Sequence, residues 1–345
     1  MIKTIYMDPA CKMNYASFYI LGLKEIFGKK AKFSTKHFHN LIECEQCFLF
    51  VVEKEDALLK VAVDFHDSRK LEMNILEWSD LYAKINLNDL SYDNLEIEFG
   101  DDYRNQKNKI ISIPPSFGIR IFSIIKTIKH ILYLIFNFWG NKKLKIYLMD
   151  VLRMYFKRLP ITFYKPEKHT VNYIFFIASI WHTATSYINI TRANFIRACK
   201  KIKGINFEGG FVDIGYECDY IKDLQILMYR EKKILLKHFI QKTKKSTLVF
   251  NNPSVAYCHG WKLAEYLCMG KAIISVSLSN RLPVDLIHEK NTYFTEDTED
   301  AIYNAVRHLL ENPELIATLE QNSEKYWNSY ASPSSVIKLL ISHLP

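Results

Sequence analysis

Short apolar runs and longer amphipathic stretches alternate along the first half of the chain. Residues 2–7 are a compact strand-like run that Asp8 and Pro9 end, and residues 15–27 then carry large apolar side chains at a density typical of a helix packed on a sheet. Further strand-like runs occur at residues 48–53, 61–65, 75–78 and 110–113. Strands that alternate with helices predict an α/β fold with doubly wound parallel sheets.

The clearest single unit of the pattern lies at residues 247–276. Residues 247–251 (TLVFN) are apolar and partly β-branched, as in a buried strand, and a turn-rich segment around Pro253 follows them. Apolar residues then recur at helical spacing up to Gly270, which has the position of a glycine that ends a helix. Because residues 272–276 are again strand-like, the pattern predicts a strand, a helix and a second strand.

The polar residues of this unit gather at one end of it. In an open parallel sheet, ligands bind beyond the carboxyl ends of the strands, and the first turn of a helix there offers unpaired N–H groups to an anion. Gly260 allows a close backbone approach, and Lys262 adds a full positive charge. Glu265, about one and a half turns further along, has the carboxylate that a ribose diol requires. The unit therefore suits a ligand with both a phosphate and a sugar.

The stretch CHGWKLAEYLCMGKAIISV, followed by LP, IHEKNTYF and a helix ending HLLENPEL, resembles the donor domain of bacterial GT-B glycosyltransferases. The resemblance covers residues 247–330 and points to the family 4, or group 1, type that acts in capsule, lipopolysaccharide and exopolysaccharide synthesis. Retaining members carry a Glu-x7-Glu motif, and its second Glu holds the nucleotide ribose. Glu265 matches that second position, whereas Tyr257 stands where the first acid contacts the donor sugar.

This resemblance implies a GT-B fold, with two Rossmann-like doubly wound domains that face a central cleft. We expect an acceptor-binding domain at residues 1–165 and a donor-binding domain at residues 166–330, joined through the proline-bracketed stretch PITFYKP. Residues 331–345 are expected to form a helix that crosses back to the first domain. The Asn312-Pro313 and Ser332-Pro333 pairs have the cap and proline order of two helix starts.

A donor site follows from the same resemblance. Glu265 is expected on the ribose, while the diphosphate meets Lys262, Arg192 and the helix start at His259, Gly260 and Trp261. Thr191 is a candidate cap, which predicts Arg192 at the start of the helix RANFIRACKKI, where a guanidinium can bind a diphosphate with two parallel hydrogen bonds. Because GT-B enzymes generally require no metal, we expect metal independence, no cofactor, and a nucleotide diphosphate sugar as co-substrate.

Candidate catalytic residues lie in the first domain. Asp64, His66 and Asp67 (VAVDFHDS) follow a strand at its carboxyl end, where an acceptor is expected to enter. A histidine beside two carboxylates is able to act as a base or to position a hydroxyl, although a polar loop without a catalytic role has the same pattern. Glu265 favours a retaining reaction, whereas an inverting enzyme would use one of these three residues as its base.

Length and composition agree with two domains. The chain has 345 residues, of which 49% are hydrophobic, enough for a sizeable core. Its seven cysteines are odd in number and widely spread, and the opening residues pass straight into a strand-like run, so we expect a cytoplasmic protein. His37, His39, Cys44 and Cys47 form a series that zinc could bind, but the usual finger spacing is absent and buried thiols are the better interpretation.

The net charge of +9 is concentrated in the middle of the chain. Residues 101–168 hold 14 Lys/Arg against four Asp/Glu, and within them residues 119–158 combine apolar density with aromatic and basic residues. This pattern is typical of a helix at a membrane interface, which predicts peripheral attachment to the anionic inner face of the cytoplasmic membrane. A core or interdomain helix with a solvated basic face is the alternative.

Together these patterns predict an enzyme that moves a sugar from a nucleotide diphosphate sugar to a hydroxyl of a lipid-linked glycan. One alternative is a nucleotide-sugar 2-epimerase of similar fold, which would convert the donor without an acceptor. The other is a non-enzymatic basic protein that binds nucleic acid or membrane. The sequence shows no recognition-helix motif, so nucleic acid is not expected as a partner.

Overall fold

The computed structural model describes residues 1–38, 46–55, 57–181, 186–212, 224–229 and 234–345. The chain divides into two compact units. The first contains Met1–Ile161, Asn280–Val284 and Ser329–Pro345, and the second contains Thr162–Ser279 and Asp285–Asn328. Both units combine helices with sheets that contain parallel strands, which confirms the predicted α/β class.

A six-stranded sheet forms the centre of the first unit, in the order β2-β1-β3-β4-β5-β6. The pattern predicts a parallel sheet, but the observed sheet is mixed, because β1–β3 and β3–β4 are antiparallel pairs. Two residues connect β3 to β4, with Glu55 at φ 43°, and so short a connection allows only an antiparallel hairpin. The strands are β1 (Ile2–Met7), β2 (Ala31–Phe33), β3 (Cys47–Lys54), β4 (Ala57–Asp64), β5 (Leu81–Lys84) and β6 (Ile110–Ser112).

Helices cover this sheet. The buried residues of the first helix include Phe18, Tyr19 and Leu23, as its apolar density predicts. Residues 75–78, predicted as a strand, are instead helical, and the Ser79 N–H donates to the carbonyl oxygen of Ile75 at 3.0 Å. The helices are α1 (Met13–Phe27), α2 (Met73–Trp78), α3 (Leu95–Phe99), α4 (Tyr103–Asn108), α5 (Ile124–Asn137) and α6 (Leu144–Lys157).

Across the described residues, no helix combines the length and the apolar composition needed to cross a bilayer.

The second unit is built on parallel strands. β7 pairs with β8, and β10 lies between β9 and β11, in each case parallel. Phe176, Phe250 and Ile274 from three of these strands share one apolar core with Phe195 and Leu309. The elements are β7 (Tyr173–Ser179), α7 (Ser186–Lys201), β8 (Asn206–Val212), α8 (Leu236–Lys245), β9 (Leu248–Asn251), α9 (Trp261–Cys268), β10 (Ala272–Ser275), β11 (Tyr293–Phe294), α10 (Glu299–Glu311) and α11 (Pro313–Tyr326).

The last helix, α12 (Pro333–Ser342), belongs to the first unit and packs on α1. Gly22 allows this packing, since a Cβ atom there would lie 2.2 Å from the backbone oxygen of Pro333. Ser332 caps α12 by accepting a hydrogen bond from the Ser335 N–H at 3.2 Å. The two helices therefore meet backbone to backbone at one glycine.

Candidate functional site

A pocket of about 370 Å³ lies in the second unit, where β7 and β9 end. Residues from the ends of both strands line it, including Ser179, Asn251 and Asn252. The start of α9 closes another side with Gly260, Trp261 and Lys262, and Arg192 reaches the pocket from α7. This is the carboxyl edge at which open parallel sheets bind their ligands.

Arg192 is buried in the wall of this pocket. Its Nη1 donates to the carbonyl oxygen of Ser179 at 3.0 Å, and its Nε donates to Oδ1 of Asn252 at 3.3 Å. Burial lowers the pKa of Arg192 to about 10, so the side chain still carries its charge at neutral pH. The predicted helix start at Thr191 is wrong, because α7 begins at Ser186 and the Thr191 hydroxyl donates to the carbonyl oxygen of Tyr187 inside the helix.

Lys262 brings a second positive charge to the pocket. Its Nζ donates to the carbonyl oxygen of Ile177 at 2.6 Å and lies 4.7 Å from the centre of the Phe176 ring. Burial, together with the neighbouring charge of Arg192, lowers the pKa of Lys262 to about 7, whereas the charge of Glu265 acts in the opposite direction. A bound anion would favour the protonated form of this lysine.

The first turn of α9 also faces this pocket. Gly260 is the N-cap residue, with φ −76° and ψ 156°, and no side chain accepts a hydrogen bond at the cap. The nearest atom to a Cβ added at Gly260 would be Cβ of Ser254, at 3.9 Å, so the backbone is open on that side. An anion beside Gly260 would therefore receive backbone N–H groups and the positive end of the helix dipole.

Arg192 and Lys262 both donate hydrogen bonds to uncharged acceptors. The described hydrogen-bond acceptors of Arg192 and Lys262 are the carbonyl oxygens of Ser179 and Ile177 and the side-chain amide of Asn252, all of which are uncharged. A charge held away from water beside uncharged acceptors is costly, as for the buried Arg192, and a bound anion offsets that cost. The pocket is thus suited to a compact, multiply charged anion such as a diphosphate.

Glu265 and His259 are buried, and neither belongs to the described residues that line the pocket. Glu265 lies on α9, and its charge raises the pKa of Lys262. Trp261 lines the pocket. The role of Glu265 on a ribose stays a prediction.

A strained loop between β9 and α9 has no signal in the sequence pattern. Ala256 and Tyr257 have φ values of 53° and 58°, and two consecutive left-handed residues without glycine are unusual. The Tyr257 ring stacks on Tyr187 at 4.4 Å, and the Tyr187 hydroxyl donates to the carbonyl oxygen of Ser254 at 2.8 Å. The stacking and the hydrogen bond hold this loop against Tyr187 of α7.

Asp64, a candidate base, is fully buried in the first unit. Lys84 Nζ lies 2.7 Å from its Oδ2, the Tyr82 hydroxyl donates to the same oxygen, and the His66 N–H donates to Oδ1 at 2.8 Å. A carboxylate with both oxygens occupied and no exposed surface cannot receive a proton from a substrate hydroxyl. The geometry gives Asp64 a structural role in place of the catalytic one expected.

His66 and Asp67 remain accessible just beyond β4. Nδ1 of His66 lies 3.3 Å from Oε1 of Glu72, the carbonyl oxygen of His66 accepts from Nδ2 of Asn86 at 2.7 Å, and Asp67 is exposed. They stand at the carboxyl edge of the first sheet, as expected, and their catalytic role stays a prediction.

The possible zinc series falls partly outside the described residues, which exclude His39 and Cys44. Cys47 is buried in β3, and the His37 ring packs against Tyr6.

Neither a protein-family model nor a curated protein sequence matches the chain. Among solved structures, the C-terminal domain of LpcC, a group 1 glycosyl transferase from Francisella tularensis, aligns at 12% identity, covering 49% of this chain and 96% of that one, with a TM-score of 0.37. A glycosyltransferase from Rickettsia africae aligns at 10% identity, covering 78% and 64%, with a TM-score of 0.44. HepE from Anabaena in complex with UDP aligns at 12% identity, covering 82% and 71%, with a TM-score of 0.46. These likenesses are remote, so a function must rest on the residues of the site.

Proposed function

We propose that this chain is a glycosyltransferase of the GT-B type, which moves a sugar from a nucleotide diphosphate sugar to a hydroxyl group. The observation that carries the proposal is that Arg192 and Lys262 line the same pocket, beside the open start of α9. Two cations whose described hydrogen-bond acceptors are uncharged suit a diphosphate, and the pocket has the volume for one with an attached group.

The diphosphate would be the leaving group of the reaction. As the bond between the sugar and the diphosphate breaks, negative charge grows on the phosphate oxygens, and preorganised positive groups stabilise it. Arg192, Lys262 and the N–H groups after Gly260 would supply that stabilisation from the chain itself. We therefore propose metal-independent transfer, in which EDTA leaves turnover unchanged.

The acceptor would be a hydroxyl of a lipid-linked glycan in cell-surface polysaccharide synthesis. Glu265 matches the acid that holds the ribose in retaining enzymes, and retention is the outcome we propose. If the reaction inverts, His66 or Asp67 is the base to test, because Asp64 is enclosed by Lys84 and Tyr82. The stereochemistry can be read from the anomeric configuration of the product by NMR.

Calorimetric titration of the whole chain with UDP, GDP and ADP tests the donor site. We expect one diphosphate to bind, and Arg192→Ala or Lys262→Ala to weaken it at least tenfold. Lys200→Ala, on the exposed side of α7, is the matched control and should bind as the wild type does. Unchanged affinity in both site variants would overturn the donor-site assignment.

Incubation of the enzyme with the nucleotide sugar alone separates the proposal from a 2-epimerase. A transferase leaves the sugar configuration of the donor unchanged when no acceptor is added. Conversion of the donor to its epimer under those conditions would contradict transfer.

A further inference from the structure

Helix α5 exposes an apolar stripe on the side that faces solvent. Thr127, His130 and Leu134 are its buried positions, as expected for the face that packs on the unit. On the exposed side, Ile125, Ile128, Leu132 and Phe136 follow one another at spacings of three and four residues, and Phe136 is 88% exposed. A solvent-facing helix surface is normally polar, so this stripe requires a partner.

Helix α6 extends the apolar stripe. Tyr147, Val151 and Met154 face inwards, while Ile146, Met149 and Phe156 are exposed. The two helices pack against each other, and Phe138 contacts Tyr147 edge to face at 5.4 Å. Trp139, in the connection between them, is 82% exposed. We call the exposed apolar residues of both helices and Trp139 the α5–α6 surface.

The segment that carries the α5–α6 surface is strongly basic. Residues 119–158 contain nine Lys/Arg and one acid, whereas the rest of the chain holds 37 Lys/Arg and 36 Asp/Glu. The one acid, Asp150, is buried and accepts a hydrogen bond from the Asn14 N–H at 2.6 Å. The exposed charges beside the apolar stripe, at Lys126, Lys129, Lys142, Lys145 and Lys157, are therefore all positive.

We propose that the α5–α6 surface docks on an anionic lipid bilayer. Its apolar and aromatic side chains would enter the interface between headgroups and acyl chains, while its lysines contact anionic headgroups. Two other partners fit less well. A second copy of the chain would bring two positively charged surfaces together, and nucleic acid would bind the lysines but leave the apolar stripe exposed to water. This inference goes beyond the proposed function, since the docking surface lies in the first unit and the nucleotide pocket in the second.

Flotation of the whole chain with vesicles tests the docking. We expect it to float with phosphatidylcholine vesicles that contain 30% phosphatidylglycerol, not with phosphatidylcholine alone, and less at 0.5 M NaCl. Phe136→Ser combined with Trp139→Ser should lower the partition coefficient at least tenfold. Lys142→Gln and Lys145→Gln should each lower it about fivefold, at about 1 kcal/mol per basic residue near the surface.

Ile97→Ser is the matched control, because Ile97 is 83% exposed on α3 of the same unit and lies outside the α5–α6 surface. Its partition should equal that of the wild type. Equal binding to neutral vesicles, absence of binding to anionic ones, or equal loss in Ile97→Ser and Phe136→Ser would overturn the proposal. If light scattering shows a dimer that Phe136→Ser dissociates, the proposal would also be overturned, because the α5–α6 surface would then bind a second copy of the chain.

Trp139 supplies a second readout. Lipids brominated on their acyl chains should quench part of the tryptophan fluorescence of the wild type, and Trp139→Phe should lose that part. UDP titration of the same variants keeps the two proposals separate, since changes on α5 and α6 should leave the nucleotide affinity as it is. Quenching that persists fully in Trp139→Phe would show contact through another face.

Discussion

Arg192 and Lys262 donate hydrogen bonds to carbonyl oxygens only two residues apart on β7, those of Ser179 and Ile177. One strand end therefore holds both cations, although they come from two different helices. The carbonyl groups orient the cations without neutralising them. Both side chains are thus held in position before a ligand arrives, which lowers the cost of ordering them on binding.

Lys262→Met is expected to stabilise the free protein and to abolish nucleotide binding. The change removes a partly buried charge that desolvation disfavours while keeping a side chain of similar length, so the free energy of unfolding should rise. With UDP at 100 times its dissociation constant, the wild type should gain about 2.7 kcal/mol, and the variant should gain none. Urea unfolding with and without UDP measures both effects, and a destabilised variant that still responds to UDP would contradict the site.

Nucleotide affinity should fall as the pH rises above 7. The pKa of Lys262 is lowered to about 7, so the free protein loses the lysine charge as the pH rises through that value. Binding a diphosphate then requires uptake of a proton, and the dissociation constant should rise by up to tenfold per pH unit between pH 7.5 and 8.5. Lys262→Arg, which stays charged, should flatten the dependence in calorimetric titrations. An equally steep dependence in that variant would assign the titration to another group.

Asp64→Asn should destabilise the first unit by about 3–5 kcal/mol, because it leaves the Lys84 charge buried without its partner. Combining Asp64→Leu with Lys84→Met should recover much of that loss, as both charges are then removed. The control is Asp67→Asn, an exposed position where the free energy of unfolding should change by less than about 0.5 kcal/mol. Chemical denaturation separates these outcomes, and an Asp64→Asn protein of normal stability but without turnover would restore Asp64 as a candidate base.

Gly22→Ala should lower the stability of the protein, whereas Gly260→Ala should weaken UDP binding. At Gly22 the new methyl group would meet the backbone of Pro333 at 2.2 Å, so α12 must shift and the protein should lose about 1–3 kcal/mol or more. At Gly260 there is room and an ordinary φ, so stability should hold while UDP binding weakens if the phosphate approaches this backbone. Thermal unfolding and UDP titration of both variants check the pair.

Much of the second unit was predictable from local pattern. The strand at Leu248–Asn251, the helix at Trp261–Cys268 and the strand at Ala272–Ser275 lie within one or two residues of the predicted bounds. Pro313 and Pro333 mark the starts of α11 and α12, because proline at the first helical position has no N–H to leave unpaired. Such features depend on residues that are close together in the chain, so the sequence alone predicts them.

Three features of the candidate sites were not predictable from the sequence pattern. Asp64 lies at a strand end, as expected, but its partner Lys84 is twenty residues away on the neighbouring strand, and this pairing turns a candidate base into a structural carboxylate. The start of α7 was misplaced because Thr191 has the chemistry of a cap, yet its hydroxyl bonds back to Tyr187 within the helix. The left-handed residues Ala256 and Tyr257 have no sequence signature, since neither is a glycine.

The contact of α12 with α1 has a consequence for synthesis. Residues 333–342 follow the whole second unit in the chain, yet they cover Gly22 near the beginning of it. Translation proceeds from the amino end, so α1 leaves the ribosome some three hundred residues before its partner exists. The face of α1 around Gly22 therefore stays uncovered until the second unit and α12 have been synthesised.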